Sequence, residues 1–216
     1  MSKLVWDAVG EKLYETGVSN GVLYVQSAGA YPAGVPWNGL ISVTESPEGA
    51  EPEALWADNI KYVNLMSAET FGATIEAYTY PDEFNACDGS AALAAGVMVG
   101  QQARKPFGLV YKTRIGNDTE GDALGYKLHI IYGCTASPSE KGYQTVNDSP
   151  EAITFSWEVA TTPVPVTGFR PSATLVLDST QVSAANMKAV EDVLFGNETL
   201  TARLPLPDAI LVLITP

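Results

Sequence analysis

The sequence is short of the residues on which most catalytic and metal sites depend. His129 is the only histidine in 216 residues, and Cys87 and Cys134 are the only cysteines. Any Ser-His-Asp or Cys-His set would have to be built on His129. That residue lies in an alternating segment on the parity of Lys127, which reads as a surface or interface position. Two cysteines without metal-ligand spacing suggest neither a disulfide framework nor a zinc site, and both read as small buried hydrophobes. HExxH, GxxxxGK[ST] and paired CxxC motifs are missing. No enzymatic activity, cofactor or metal is expected.

Bases are scarce as well. Twelve Lys and Arg stand against 25 Asp and Glu, a net charge of -13 with a pI near 4.3. A protein that grips nucleic-acid phosphates leans the other way, and an anionic membrane surface is disfavoured for the same reason. No run reaches the roughly 18 apolar residues of a membrane span. The start, Met1-Ser2-Lys3-Leu4-Val5-Trp6-Asp7, has no apolar core of a signal peptide, so folding in a cytoplasm is expected.

What is abundant is strand-forming material. Hydrophobic residues make up 46% of the chain, with 10 Tyr, 6 Phe and 4 Trp, and 19 Gly and 14 Pro punctuate it. A single mainly-β domain over residues 1–216 is expected, with an N-terminal arm at about 1–20 and a C-terminal strand at about 209–215.

Period-two alternation marks a hairpin between Phe107 and Tyr132, each strand with one buried and one wetter face. Its link, Gly116 to Gly125, reads as a long contact loop. Further strands are expected at Val22–Val25, Gly39–Val43, Ala73–Tyr78 and Ile153–Val159. Ala173–Leu177 and Ile210–Ile214 read as strands buried on both faces, and the proline-rich Thr161–Val166 as an edge or linker.

Ser183 as cap and Gly196 as stop predict a helix over Ala184–Phe195, with Val182 stapling onto Met187. Lys3–Tyr14 is either a second helix, with Trp6, Val9 and Leu13 on one face, or an arm.

Charge is segregated. Glu45, Glu48, Glu51, Glu53 and Asp58 occupy a stretch without bases, while Arg104, Lys105, Lys112 and Arg114 occupy one without acids. Such runs are more often solvated faces. Together they allow a head-to-tail contact between copies. In the hairpin link, Asn117, Asp118, Glu120 and Asp122 are contact candidates. Their alternate carboxylates imitate a calcium loop but lack its late bidentate Glu, so a hairpin tip is the better reading.

Several stretches together carry a family resemblance. They are Thr44-Glu45-Ser46-Pro47-Glu48-Gly49-Ala50-Glu51-Pro52, Ala57-Asp58-Asn59-Ile60-Lys61-Tyr62, and Phe71 through Phe84. Gly116-Asn117-Asp118-Thr119-Glu120-Gly121, Gly125-Tyr126-Lys127-Leu128 and Asn147-Asp148-Ser149-Pro150-Glu151 continue the series. In order and combination the chain resembles the major tail proteins of long, flexible, non-contractile phage tails, over roughly Trp6 to Phe195.

The resemblance implies a β-sandwich or β-barrel of the tail tube type, with one flanking helix and long loops. It implies six-fold rings of this chain, stacked into a hollow tube that conducts the genome. The site would be the virion tail, assembled in the bacterial cytoplasm. Implied partners are further copies, a tape measure protein, a tail terminator and distal tail or baseplate proteins. DNA would pass without specific binding, and no membrane is involved. Glu76 and Glu158, on outward strand parity, become candidates for lining the bore. The rival reading is a carbohydrate-binding or adhesion module, such as a virion decoration protein, with Tyr31, Trp37, Trp56 and Tyr80 as stacking platforms.

Overall fold

The computed structural model describes residues 3–146, 148 and 151–215. Asn147, Ser149 and Pro150 of the last resembling stretch lie outside them. The strands are β1 (Tyr14–Val25), β2 (Gly34–Pro36), β3 (Leu40–Gly49), β4 (Pro52–Ala57), β5 (Ile60–Met66) and β6 (Glu69–Ala77). A short helix α1 (Asn85–Asp88) precedes β7 (Ala91–Ala94) and β8 (Val97–Val99). The remaining elements are β9 (Phe107–Asn117), β10 (Gly121–Ala136), β11 (Phe155–Thr161), β12 (Thr174–Asp178), α2 (Ala184–Leu194) and α3 (Pro207–Ile214). The chain is mainly β, and no described helix is long and apolar enough to cross a membrane.

One antiparallel sheet runs β2-β1-β9-β10-β11-β6-β3, with β12 also paired to β10. The sheet folds into two layers because β10 serves both. Lys127–Ile131 pair with β12, and the same stretch pairs with β9 on its other edge. Cys134–Ala136 then pair with β11. Gly133 stands at the crossing with φ +60, and a Cβ there would collide with the Thr162 carbonyl oxygen. Only glycine satisfies both demands.

Two cores result. Leu23, Leu109, Tyr111, Ile131, Ile75 and Trp157 pack between the layers. Trp157 meets Trp37, Tyr80 and Phe84 edge-on, at centroid distances of 5.8, 5.3 and 5.0 Å. Val22, Tyr24, Val110, Leu128, Ile130 and Tyr132 face the other way, onto Met187, Val190 and Leu194 of α2 and Ile210 of α3. The expected wetter face of the hairpin is therefore confined to the half nearer its turn, from Lys112 and Arg114 to the tip. Its other half, Phe107–Tyr111 with Ile130–Cys134, is buried on both sides, at about 1.5–3 kcal/mol per large apolar side chain.

The α2 expectation holds. Ser183 Oγ accepts from the Asn186 amide at 3.3 Å, and Gly196 follows with φ +78. The C-terminal expectation does not: Ile210–Ile214 is helical, in α3. Five apolar residues are too short for periodicity to separate strand from helix. Pro207 in the first turn and Asp208 beside it are helix-start signals that decide the matter. Asn186 Nδ2 donates to the Ile214 carbonyl at 2.8 Å, tying the two helices.

Lys3–Leu13 is not a helix but an arm. Asp7 and Gly10 have positive φ, and Trp6, Val9 and Leu13 are exposed, so the imagined stripe has nothing to pack on. The link of the long hairpin is also shorter than expected. Only Asp118–Glu120 separate β9 from β10. Among the described residues β12 pairs with β10 alone, and its Val176 is 48% exposed, so this strand is an edge rather than buried on both faces.

Candidate functional site

The stretch Glu45 to Asp58 is a β-arm rather than an acidic loop. β3 and β6 pair along their length from Leu40↔Ala77 to Gly49↔Glu69, and β4 and β5 extend the hairpin from Pro52↔Met66 to Ala57↔Ile60. Asp58 and Asn59 close it with φ 51 and 63, the two left-handed residues of a type I′ turn. Pro47 and Pro52 are tolerated because each lies on a strand with an open edge.

The outer arm buries almost nothing. Leu55, Val63 and Leu65 are exposed on one face, Tyr62 and Met66 on the other, and Trp56 is 69% exposed. A two-stranded hairpin is marginal in water even with one covered face, and this one is apolar on both. β7 and β8 form a second exposed hairpin, carrying Leu93, Val97, Met98 and Val99. No charged residue occurs from Gly89 to Ala103. Contiguous apolar surface of this kind is what protein, membrane and ligand contact sites have in common.

A second surface differs in character. The register places Ser42, Thr44, Ser46 and Glu48 of β3, Thr70, Gly72, Thr74 and Glu76 of β6, and Ser156, Glu158 and Ala160 of β11 on one face. It lies opposite the Ile75 and Trp157 core. It holds hydroxyls, small residues and three carboxylates, and no base. Glu76 accepts from Ser42 Oγ at 2.9 Å, while Glu158 is exposed one diagonal step away. The two lining candidates thus share one flat, acidic face.

The other candidates separate. Glu48, Glu51, Glu53 and Asp58 are exposed. Glu45 points inward from β3, where Tyr111 donates to it at 2.6 Å and His129 Nδ1 lies 3.6 Å away. The contact with His129, followed by the Tyr111 bond, outweighs burial and holds its carboxyl below the usual range. Arg104 is also turned inward, donating to the Ala136 carbonyl at 2.9 Å and lying 3.8 Å from the buried Asp88. Both are engaged within the chain, Glu45 with a third of its side chain still exposed at the edge of the body.

Lys105 remains exposed. Asn117 is buried and organises the β9–β10 turn. Its Oδ1 accepts from the amides of Thr119 and Glu120, and its Nδ2 donates to the Gly10 carbonyl. Asp118 accepts from the Gly10 amide at 3.0 Å, and Asp122 is paired with Arg114 at 2.6 Å, leaving Glu120 exposed and unengaged at the tip among the described residues.

His129 is not a surface residue. Its side chain is 14% exposed and stacks on Tyr111 at 4.8 Å with the rings 4° from parallel. Among the four aromatic platforms, Tyr31 and Trp37 are 2% and 3% exposed, and Tyr80 packs edge-on against Phe84, Phe155 and Trp157. Only Trp56 could meet a ligand. Cys87 and Cys134 are buried and unbridged, and burial pushes the Cys87 thiol up to about 12, which keeps it inert.

Sequence reasoning missed both apolar hairpins. The signals were there: alternation on each side of Asp58-Asn59, and the uncharged run around Ala95-Gly96. No protein-family model matches the chain, and no curated protein matches it.

Proposed function

We propose that this chain is a structural subunit that polymerises with copies of itself, as the tail tube protein of a long-tailed phage. The observation that carries the reading is the arm over β4 and β5, with large apolar residues exposed on both faces. Such an element is stable only when sandwiched, and a self-assembling array sandwiches it between neighbours without another protein.

Two features agree. The unpaired edge of β3 offers a ladder to a neighbouring sheet, the ordinary hazard of an edge strand turned to use. The acidic, hydroxyl-rich face of β3, β6 and β11 suits a wall past which DNA slides, since each phosphate-binding cation would add salt-sensitive affinity. The tube and its genome-conducting role come from the family resemblance.

Negative-stain electron microscopy of concentrated purified protein tests the reading. Rings or tubes are the expected result. Strictly monomeric particles at every concentration, in buffers of low and high salt, would overturn it.

A further inference from the structure

The sheet ends on β2 and β3, but β2 covers only Val22–Tyr24 of β1, so the first half of β1 keeps an open edge, and it does not pair with β3. Between them runs an open cleft of about 460 Å³, lined by Gly17, Val18, Ile41 and Val43 and floored by Tyr111 and His129. We propose that Glu15, His129 and Glu45 form a proton-dependent clasp across this seam, holding the root of the β3–β6 arm to the body while His129 carries both ring protons.

His129 projects from β10 into the seam. Its Nε2 lies 3.1 Å from Glu15 Oε1 on β1 and 3.0 Å from Thr113 Oγ1 on β9. The Thr113 hydroxyl itself donates to Glu15, so its oxygen is left to accept. Nδ1 is buried and makes no hydrogen bond among the described residues. The carboxylate it faces is Glu45 of β3, 3.6 Å away.

Both ring nitrogens therefore look at acceptors. A neutral imidazole presents one lone pair, which here would confront a carboxylate, whereas the imidazolium presents a donor to each. The remaining groups around the ring are accounted for. Tyr111 on β9 stacks on it and donates to Glu45, and Lys127 on β10 neutralises the other oxygen of Glu15. Val176 of β12, paired with His129 across the ladder, carries no charge.

Glu45 is the one member of the cluster on the arm, and two groups of the body reach it across the seam, the Tyr111 hydroxyl and His129 Nδ1; of these only the His129 contact needs the second proton. Raising the pH through the range in which imidazoles change charge loosens the root of β3 and leaves β1, β9 and β10 in place. The inference concerns the isolated chain and does not depend on the tube reading.

His129 is the only histidine, so its nitrogens are read without ambiguity in a long-range proton–nitrogen spectrum of the purified monomer. At about pH 6 both nitrogens are expected at protonated positions, and at about pH 8.5 one of them not. In parallel, hydrogen exchange of β3 amides is referenced to β6 amides bonded to β11, which cancels the intrinsic effect of pH. The protection ratio is expected to fall about tenfold over that span. In His129→Phe, which keeps a ring on Tyr111 and no proton, the ratio should be flat. A single neutral tautomer at both pH values, or a wild-type ratio that does not change, would overturn the clasp. These two wild-type measurements decide the matter if the variant fails to fold.

Discussion

The side chain of Asn117 donates to the carbonyl of Gly10, a residue 107 positions earlier in the chain, while its own oxygen holds the turn that follows it. One buried amide thus fastens the N-terminal arm and shapes the β9–β10 tip. Asn117→Ala removes both at once and leaves buried polar groups unmatched. A loss of about 1–3 kcal/mol is expected in urea unfolding. Faster tryptic cleavage at Lys12 should accompany it. An unchanged cleavage rate would mean that the arm is held by something else.

Trp56 and Tyr62 touch no core, so replacing both with Ser should leave the monomer's unfolding midpoint within about 0.5 kcal/mol of wild type. Assembly is expected to be lost. Sedimentation velocity beside a thermal melt separates the two effects. A double variant that melts normally and still pellets as polymer removes the arm from the contact.

The acidic face is tested by reversing it. Glu76→Lys with Glu158→Lys adds two cations to a surface that has none. Binding of a short duplex, followed by fluorescence anisotropy, should appear at low salt and vanish as salt rises. Wild type should show no binding throughout. A double variant equally indifferent to DNA would count against that face as the wall of a bore.

Salt should help assembly rather than oppose it. The charge segregation in the sequence suggested acid–base pairs between copies, weakened by salt. With Arg104 turned inward onto Ala136 and Asp88, and Glu45 onto Tyr111, those pairs lose two of their members. What remains is apolar contact between subunits of charge -13, whose mutual repulsion is screened at high ionic strength. Pelleting should rise between about 0.01 M and about 1 M sodium chloride. A fall over that range restores the electrostatic account.

Acid should weaken the fold through the seam. Burial raises the Glu15 carboxyl, but bonds from Lys127, Thr113 and His129 bring it below its usual value, and Glu45 is lowered as well. A carboxyl whose folded value lies below its unfolded one adds stability above the unfolded value of about 4.5. That stability is lost as pH falls through the folded value. The urea midpoint of wild type should therefore drop below about pH 4.5 more steeply than that of Glu45→Gln. Parallel curves would show that Glu45 is not a linked group.

The parts of the fold written in local chemistry could be read from the residues. Ser183 and Gly196 bracket α2 because a cap and a left-handed stop act within a turn of themselves. The parity of Leu128, Ile130 and Tyr132 was equally plain. What could not be read was that Ile131, between Ile130 and Tyr132, and Val110, between Leu109 and Tyr111, are buried in the opposite core, since that depends on β10 bending at Gly133 to carry a further layer.

The arm was hidden for a different reason. The five acids of Glu45–Asp58 mask the Leu55, Val63 and Leu65 alternation, and a face exposed in the single chain has the sequence pattern of a core strand. Glu45 and Arg104 were misplaced because charge alone does not say which side of a strand is inside. Of the proposed wall, Glu76 and Glu158 were legible from parity, and the hydroxyls around them were not.

β10 has a mechanical consequence. The two layers are not joined only by loops that could hinge. A single strand crosses from one to the other, with β9 along one edge and, along the other, β12 before Gly133 and β11 after it. Sliding one layer over the other would have to break ladders at both ends of the same strand. The body is therefore built to resist shear, whereas the outer arm, joined to it only through β3 and β6, can flex like a reed. A wall made of such units would bend by moving its arms while each body kept its shape.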